Sequence, residues 1–367
     1  MNEDKQILKN FRGIIDSTLR EGFQFAKAKF SLYEQKQIFS SLAGIGVDYI
    51  EVGNPLRSEI RDMIVELARS QSGRRPKILS HIRNHEQDVR EAVAIGVDGV
   101  NILCTVDRER LAGMNKSVAE YRENLCRNIR TARAAALEVR IGVEDFFGQP
   151  AEESLEIFRL AEAAGADRVA LADTLGRAMS WEVAGRIKEL RRHIRTPLEA
   201  HFHNDLGHAV SNALAALQAG ANFISTSLLG IGERTGITPL SSLLINLYVM
   251  DERLGKRYNL SLLTEAENYV SRICGIEMPP HLMTNTANGF AHKAGIHLDA
   301  LMKFGPHKYE LLSPRLIGNG RNLVIDSLLS GKTGQLDLNK FLEKHKGDRS
   351  ADGAGFIARR RGGVASY

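Results

Sequence analysis

Two histidines spaced by one residue, His201 and His203, stand in the run Leu198-Glu199-Ala200-His201-Phe202-His203-Asn204-Asp205. On an extended strand side chains alternate between faces, so both imidazoles point to one place. A carboxylate joining them completes a site of two histidines and one acid with open positions, a donor set suited to a catalytic divalent ion rather than a structural one. The segment Asp16-Ser17-Thr18-Leu19-Arg20-Glu21 supplies that acid, and both Asp16 and Glu21 are placed to do so. Arg20 adds a fixed cation beside it; the plain alternative for Arg20 is a salt bridge that closes the fold. Further polar residues end short aliphatic runs at Glu51, His81, Glu144-Asp145 and Asp173-Thr174. The three cysteines, Cys104, Cys126 and Cys274, are too scattered for a disulfide framework or a thiolate site, so a metal here must use histidine and carboxylate.

These groups need a scaffold that gathers strand ends. A degenerate punctuation recurs as Gly46-Val47-Asp48, Gly96-Val97-Asp98, Gly165-Ala166-Asp167 and Gly220-Ala221-Asn222. Each copy follows an amphipathic helical stretch and opens a short aliphatic run. Glycine suits the left-handed position that ends a helix, and the aliphatic run is the text of a strand buried in a parallel sheet. Runs at Ile14-Ile15-Asp16, Lys77-Ile78-Leu79-Ser80, Glu138-Val139-Arg140-Ile141 and Leu198-Glu199-Ala200-His201 supply the intervening strands. The eight strands end near Ser225-Thr226-Ser227, and this predicts an α/β fold: a (β/α)8 TIM barrel with a C-terminal, mostly helical extension. The expected division is a catalytic barrel over 1–250, a helical region over 251–345 and a disordered tail over 346–367. Active sites of such barrels lie at the C-terminal ends of the strands, where all the polar residues above converge. The loop Leu229-Gly230-Ile231-Gly232-Glu233-Arg234-Thr235-Gly236 follows the last strand, where barrels often hold phosphate or another anion.

With 49 Lys and Arg against 44 Asp and Glu in 367 residues and 43% apolar content, the chain reads as globular. Its net charge of +5 is spread along the sequence apart from Arg359-Arg360-Arg361, which leaves no nucleic-acid footprint and keeps acidic small molecules as partners. No apolar run approaches the roughly 20 residues of a membrane span, and MNEDKQILKN has no apolar core for a signal peptide, so the expected location is the cytoplasm.

Four motifs, in order, carry a resemblance over roughly residues 11–330. They are Asp16-Ser17-Thr18-Leu19-Arg20-Glu21-Gly22-Phe23-Gln24, His201-Phe202-His203-Asn204-Asp205, Gly230-Ile231-Gly232-Glu233-Arg234 and Ala291-His292-Lys293-Ala294-Gly295-Ile296-His297. Together they resemble the signatures of the metal-dependent TIM-barrel acyl-CoA aldol enzymes that include 2-isopropylmalate synthase, homocitrate synthase and hydroxymethylglutaryl-CoA lyase. Ser80-His81-Ile82-Arg83, Arg140 on the strand face of Glu144, and Ile237-Thr238-Pro239-Leu240 bring the chain nearest to the homocitrate synthase branch. Gly142 and Phe23 depart from that branch, which typically carries Ser and Glu there.

The resemblance implies an acyltransferase that joins acetyl-CoA to a 2-oxo acid, foremost 2-oxoglutarate, and then hydrolyses the thioester. It implies a divalent ion (Mg, Mn or Zn) on Glu21, His201 and His203, with Asp16 an equally well-placed acid. Arg20 would steady the charge that grows on the keto oxygen. His297 would be the base, oriented by Glu144 and assisted by Tyr309, and would arrive from the neighbouring subunit of a homodimer. Arg140 would meet the distal carboxylate of the acceptor, with Gln24, His81 and Thr174 as further substrate contacts. Two alternatives stay open: a related synthase for another 2-oxo acid (2-isopropylmalate, citramalate or citrate type), and a lyase running the aldol step backwards.

Overall fold

The computed structural model describes residues 9–69 and 75–324, and the backbone of two short strands near the C-terminus. The chain divides into two compact units, Met1–Tyr258 and Asn259–Tyr367.

In the first unit eight parallel strands close into a barrel in sequence order. They alternate with helices: β1 (Gly13–Asp16), α1 (Leu32–Ile45), β2 (Tyr49–Val52), α2 (Ser58–Arg69), β3 (Lys77–Arg83), α3 (Glu86–Ile95), β4 (Gly99–Cys104), α4 (Arg108–Gly113) and α5 (Val118–Ala134), β5 (Glu138–Val143), α6 (Ala151–Ala164), β6 (Arg168–Asp173), α7 (Ser180–Leu190), β7 (Leu198–Phe202), α8 (Ala209–Ala219), β8 (Phe223–Thr226) and α9 (Leu240–Met250). Closure comes from β1 pairing with β8, Asp16 beside Thr226. Among the described residues no helix is long and apolar enough to cross a membrane.

The repeated glycine ends α1, α3 and α6 with positive φ at Gly46, Gly96 and Gly165, as its freedom from a Cβ allows. The acid or amide two residues on does more than punctuate. Asp48 accepts the backbone N–H of Ile14 (2.9 Å), Asp98 that of Ile78 (2.7 Å), Asp167 that of Val139 (2.8 Å) and Asn222 that of Leu198 (3.0 Å). Each ties the start of one strand to the loop feeding the next, satisfying an N–H at the barrel floor that no ladder partner reaches. An arginine then neutralises or bridges each: Arg257, Arg75, Arg133 and Arg191 respectively. Register at the floor is therefore fixed four times by the same device, which keeps the strand ends at the opposite, C-terminal face in one layer.

The second unit contains α10 (Leu263–Ile273), β9 (Ala291–His292), α11 (Gly295–Phe304) and β10 (Asn322–Leu323), with β9 and β10 paired in parallel. Glu310 is knotted there between His292 (3.2 Å) and Arg321 (2.5 and 2.7 Å). The expected tail over 346–367 lies largely outside the described residues; within it, Ile357–Arg360 pairs antiparallel with Gly363–Ser366.

Candidate active site

His201 is the fourth residue of β7 and His203 follows its end, and both are buried. The short helix Glu21–Gln24 that follows β1 carries Glu21, also buried, to the same point. One ligand atom from each of Glu21, His201 and His203 lies within 4.8 Å of the others. Glu21 Oε2, His201 Nδ1 and His203 Nδ1 are buried and have no hydrogen-bond partner. Buried polar atoms are ordinarily satisfied, so three orphans on one cluster mark a ligand's place.

The protonation states suit a cation. Burial pushes His201 down to about 3 and lowers His203, so both imidazoles are neutral donors at neutral pH. Burial opposes ionisation of Glu21, but Arg20 and the two histidines outweigh it and hold the carboxyl at about 2. Asp16, the alternative acid, accepts the Thr18 N–H (2.9 Å) and the Thr226 hydroxyl (3.3 Å) and is outside the cluster. Gly232 brings the glycine loop against this acid: a Cβ there would stand 3.2 Å from Glu21 Oε2. Arg234 of the same loop is bidentate to Asp205 (2.9 Å twice) and donates to the Thr174 carbonyl (2.6 Å). The loop is thus a lid edge over Glu21 rather than the free anion cradle its glycines suggest.

Beneath the cluster a file of alternating charges descends the barrel axis. Glu21 pairs with Arg20 (2.6 Å), Arg20 with Glu51 (2.5 Å), Glu51 with Arg140 (2.8 Å), Arg140 with Glu199 (2.6 Å), and Arg168 lies between Glu199 (3.6 Å) and Glu138 (2.6 Å). Glu51 is the hub. One oxygen takes the Ser17 hydroxyl (2.8 Å) and Arg20; the other takes Asn101 Nδ2 (2.9 Å) and Arg140, and lies 3.2 Å from His81 Nδ1. Its carboxyl falls well below the usual range because Arg20, Arg140 and the His81 contact overcome the burial that opposes ionisation. For Arg20 burial alone would lower the pKa, yet Glu21 and Glu51 raise it. Nε and Nη1 of Arg20 are committed to these acids, which fixes the plane of the guanidinium beside Glu21.

Arg140, expected to meet the acceptor's distal carboxylate, is 3% exposed and places its terminal nitrogens on Glu51 and Glu199, with a buried Nε that has no hydrogen-bond partner. The sequence shows Glu51 and Glu199 as single acids in apolar strands; only barrel closure brings β2 and β7 across to β5. Beside Arg140, a Cβ on Gly142 would meet the unpartnered Asn101 Oδ1 at 3.1 Å.

His81 is half-buried on Glu51 and Asn101, and burial followed by the Arg20 charge lowers its pKa. Thr174 accepts the Asp145 N–H (2.8 Å), which leaves its own hydroxyl proton to donate. Gln24 ends its short helix exposed on the rim. Glu144 follows β5 and is ion-paired with Arg110, not left open. His297 and Tyr309 belong to the second unit, where their rings stack with centroids 3.8 Å apart at 21°.

Residues 12–270 match the HMGL-like family, and residues 285–347 match the homocitrate synthase post-HMGL domain-like family. The mitochondrial homocitrate synthase of Schizosaccharomyces pombe is 40% identical over 326 residues, covering 88% of this chain and 77% of that protein. The cytosolic homocitrate synthase isozyme of Saccharomyces cerevisiae is 36% identical over 340 residues, covering 90% and 79%. Among solved structures, the HMG-CoA lyase of Bacillus subtilis superposes with a TM-score of 0.66 over 74% of this chain and 96% of that one; at 20% identity this speaks for the fold alone. With its barrel, its following segment and its relatives in agreement, the chain belongs to the HMGL-like family, in the homocitrate synthase branch.

Proposed function

We propose that the chain condenses acetyl-CoA with 2-oxoglutarate and water to give homocitrate and CoA. The observation that carries this reading is the buried Glu21, His201 and His203 cluster with Arg20 beside it, in a chain whose relatives bear the name homocitrate synthase. A new bond joins the acetyl methyl carbon to the keto carbon, a proton leaves the methyl group, and water then cleaves the thioester.

The three orphaned donors fit a divalent ion such as Mg, Mn or Zn, which when bound supplies Lewis-acid polarisation of the keto group. The chain's own residues do the rest. Arg20 offers Nη2 to the oxyanion that develops as the bond forms, and Glu51 and Glu21 hold that guanidinium in place before substrate arrives. The acceptor's carboxylates take the Thr174 hydroxyl, His81 and, at the rim, Gln24; the distal one is assigned to Arg140, whose Nε–H has no other partner. His297 removes the methyl proton, with Tyr309 stacked on its ring and Glu144 orienting it once Arg110 lets go. In this reading His297 is delivered by the partner subunit of a homodimer. Ile296, Phe304 and Leu311 flank His297 and Tyr309 in sequence and are exposed in one copy of the chain, which supports such a contact. The cytoplasm is the location assigned, although the relatives include a mitochondrial and a cytosolic form.

A lyase built on a reactive cysteine fits less well: Cys104 and Cys274 are buried, and burial pushes the Cys104 thiol up to about 12. Thiol release from acetyl-CoA across a panel of 2-oxo acids tests the proposal. Release with 2-oxoglutarate far above that with 2-oxoisovalerate, pyruvate or oxaloacetate is expected; preference for another acid would move the chain to a sister activity, and no release with any of them would remove the synthase reading.

A further inference from the structure

We propose that Glu310, held by His292 and Arg321, is a positioning residue that keeps the Tyr309 ring stacked on His297. The inference rests on the reading of His297 as the base and adds how this chain holds that base ready. Removal of the acetyl methyl proton moves it to a ring nitrogen of His297, while the C–H electron pair becomes the pair that attacks the keto carbon. The imidazole turns into an imidazolium, and an aromatic face lying on it favours the charged form. The Tyr309 stack therefore acts in the step itself, provided that the ring stays where it is.

Burial does not keep it there. Tyr309 is 42% exposed, and its ring lies on His297 with centroids 3.8 Å apart at 21°. The backbone on either side fixes it instead. Gly305 ends α11 with φ at 93°, a left-handed value that a side chain would oppose, and so turns the chain back. The short turn Pro306–Lys308 follows, and the N–H groups of Tyr309 and Glu310 both donate to the Pro306 carbonyl (3.0 and 2.9 Å). Glu310 is then anchored to the β9 and β10 pair. Its Oε1 lies 3.2 Å from His292 Nε2, and Arg321 donates to both of its oxygens (2.5 and 2.7 Å). Arg321 stands two residues before Leu323, the register partner of His292, so the small sheet presents both donors to one carboxylate. The Glu310 side chain is 4% exposed and that of Arg321 12%, and charge-assisted, bidentate bonds in so sheltered a place are strong and directional. The His292 ring also lies 5.9 Å from the His297 ring. One carboxylate therefore ties both halves of the stack together: its own residue adjoins the tyrosine, and its partner ring adjoins the base.

The test is a double-mutant cycle read by steady-state turnover of acetyl-CoA and 2-oxoglutarate, on the full-length protein with divalent ion. Glu310→Gln is expected to lower kcat about 10- to 100-fold, the range that a small misplacement of a catalytic group costs, while KM for both substrates stays near wild type. His292→Gln keeps an N–H at the place of Nε2 and should retain turnover, whereas His292→Leu should match Glu310→Gln. In a Tyr309→Leu background, where no stack is left to hold, Glu310→Gln should add no more than about twofold. Lys303→Gln breaks an exposed ion pair of α11 with Asp299 and should leave kcat unchanged. A second readout needs no turnover: in protein carrying ¹³C-labelled histidine, the His297 ring-proton signals, held upfield by the stacked tyrosine, should move downfield in Glu310→Gln and His292→Leu. Wild-type kcat in Glu310→Gln, unmoved His297 signals in both variants, or the same fold loss with and without the Tyr309 ring would overturn the assignment. Wild-type turnover in His297→Gln would instead overturn the reading of the base on which it rests.

Discussion

Replacing Glu51 by Gln should destabilise the barrel by about 3–5 kcal/mol, the usual cost of leaving a buried charge without its partner. Gln fills the same space, so no cavity contributes. Only the charge and the acceptor count change. Glu51 is fully buried, with Ser17 and Arg20 on one oxygen and Asn101 and Arg140 on the other. An amide nitrogen in place of either oxygen faces donors with a donor. It breaks at least one hydrogen bond to an arginine, each worth about 1.5–3 kcal/mol, and strands part of a second cation. These costs overlap because Arg20 keeps Glu21 and Arg140 keeps Glu199, which is why the total stays near the single-partner figure. Urea unfolding of the metal-free barrel, followed by far-UV circular dichroism with linear extrapolation, measures it. Glu86→Gln is the control, since the exposed Glu86–Arg90 helix pair should be worth under about 1 kcal/mol. A loss for Glu51→Gln no larger than the control's would refute the view that Glu51 organises the charges beneath the site.

Four further outcomes are expected. Arg20→Ala should keep the divalent ion, measured by equilibrium dialysis, while turnover falls by about 10²–10³, the usual worth of one oxyanion donor; His203→Ala should lose the ion itself. Chelator treatment should abolish thiol release and added divalent ion should restore it, so full activity after exhaustive metal removal would contradict the assigned ligands. Arg140→Ala should both lower stability, by freeing Glu199, and reduce turnover with 2-oxoglutarate more than with pyruvate; an equal effect on both acceptors would remove its contact with the distal carboxylate. In the second unit, Arg321 and His292 overcome burial to hold Glu310 below its ordinary value of 4.5. A depressed carboxyl stabilises above the unfolded value and loses that contribution as pH falls through the folded one. Hydrogen-exchange protection in β9, the observed rate set against the intrinsic rate at the same pH, should therefore fall below pH 4.5 in the wild type, and be lower already at neutral pH but less pH-sensitive in Glu310→Gln.

Much of the scaffold was legible because its signals are local. Glycines at helix ends, aliphatic runs behind them and the i, i+2 spacing of His201 and His203 are set by backbone geometry that a single segment contains. What escaped depends on closure of the barrel. Asp48, Asp98, Asp167 and Asn222 look like punctuation until the register places each against a strand start one unit earlier in the chain. Glu51 is one acid in an apolar strand, and nothing near it in sequence announces that Arg20 and Arg140 will reach it from β1 and β5. The partners of Arg140 escaped for the same reason, since Glu51 and Glu199 reach it only from strands across the barrel. The loop 229–236 likewise looked like a place for an anion, and its Arg234 is paired with Asp205 from the preceding βα unit.

This barrel makes a carbon–carbon bond between an acetyl group and 2-oxoglutarate. Incubation with acetyl-CoA labelled with ¹³C at the methyl carbon, 2-oxoglutarate and a divalent ion, followed by mass spectrometry and ¹³C NMR, tests it most directly. The expected product is homocitrate with the label in a methylene adjacent to the new tertiary carbon, formed in equal amount with free CoA. Labelled free acetate with unchanged 2-oxoglutarate, or label in a product built from a different 2-oxo acid when all are offered together, would contradict it.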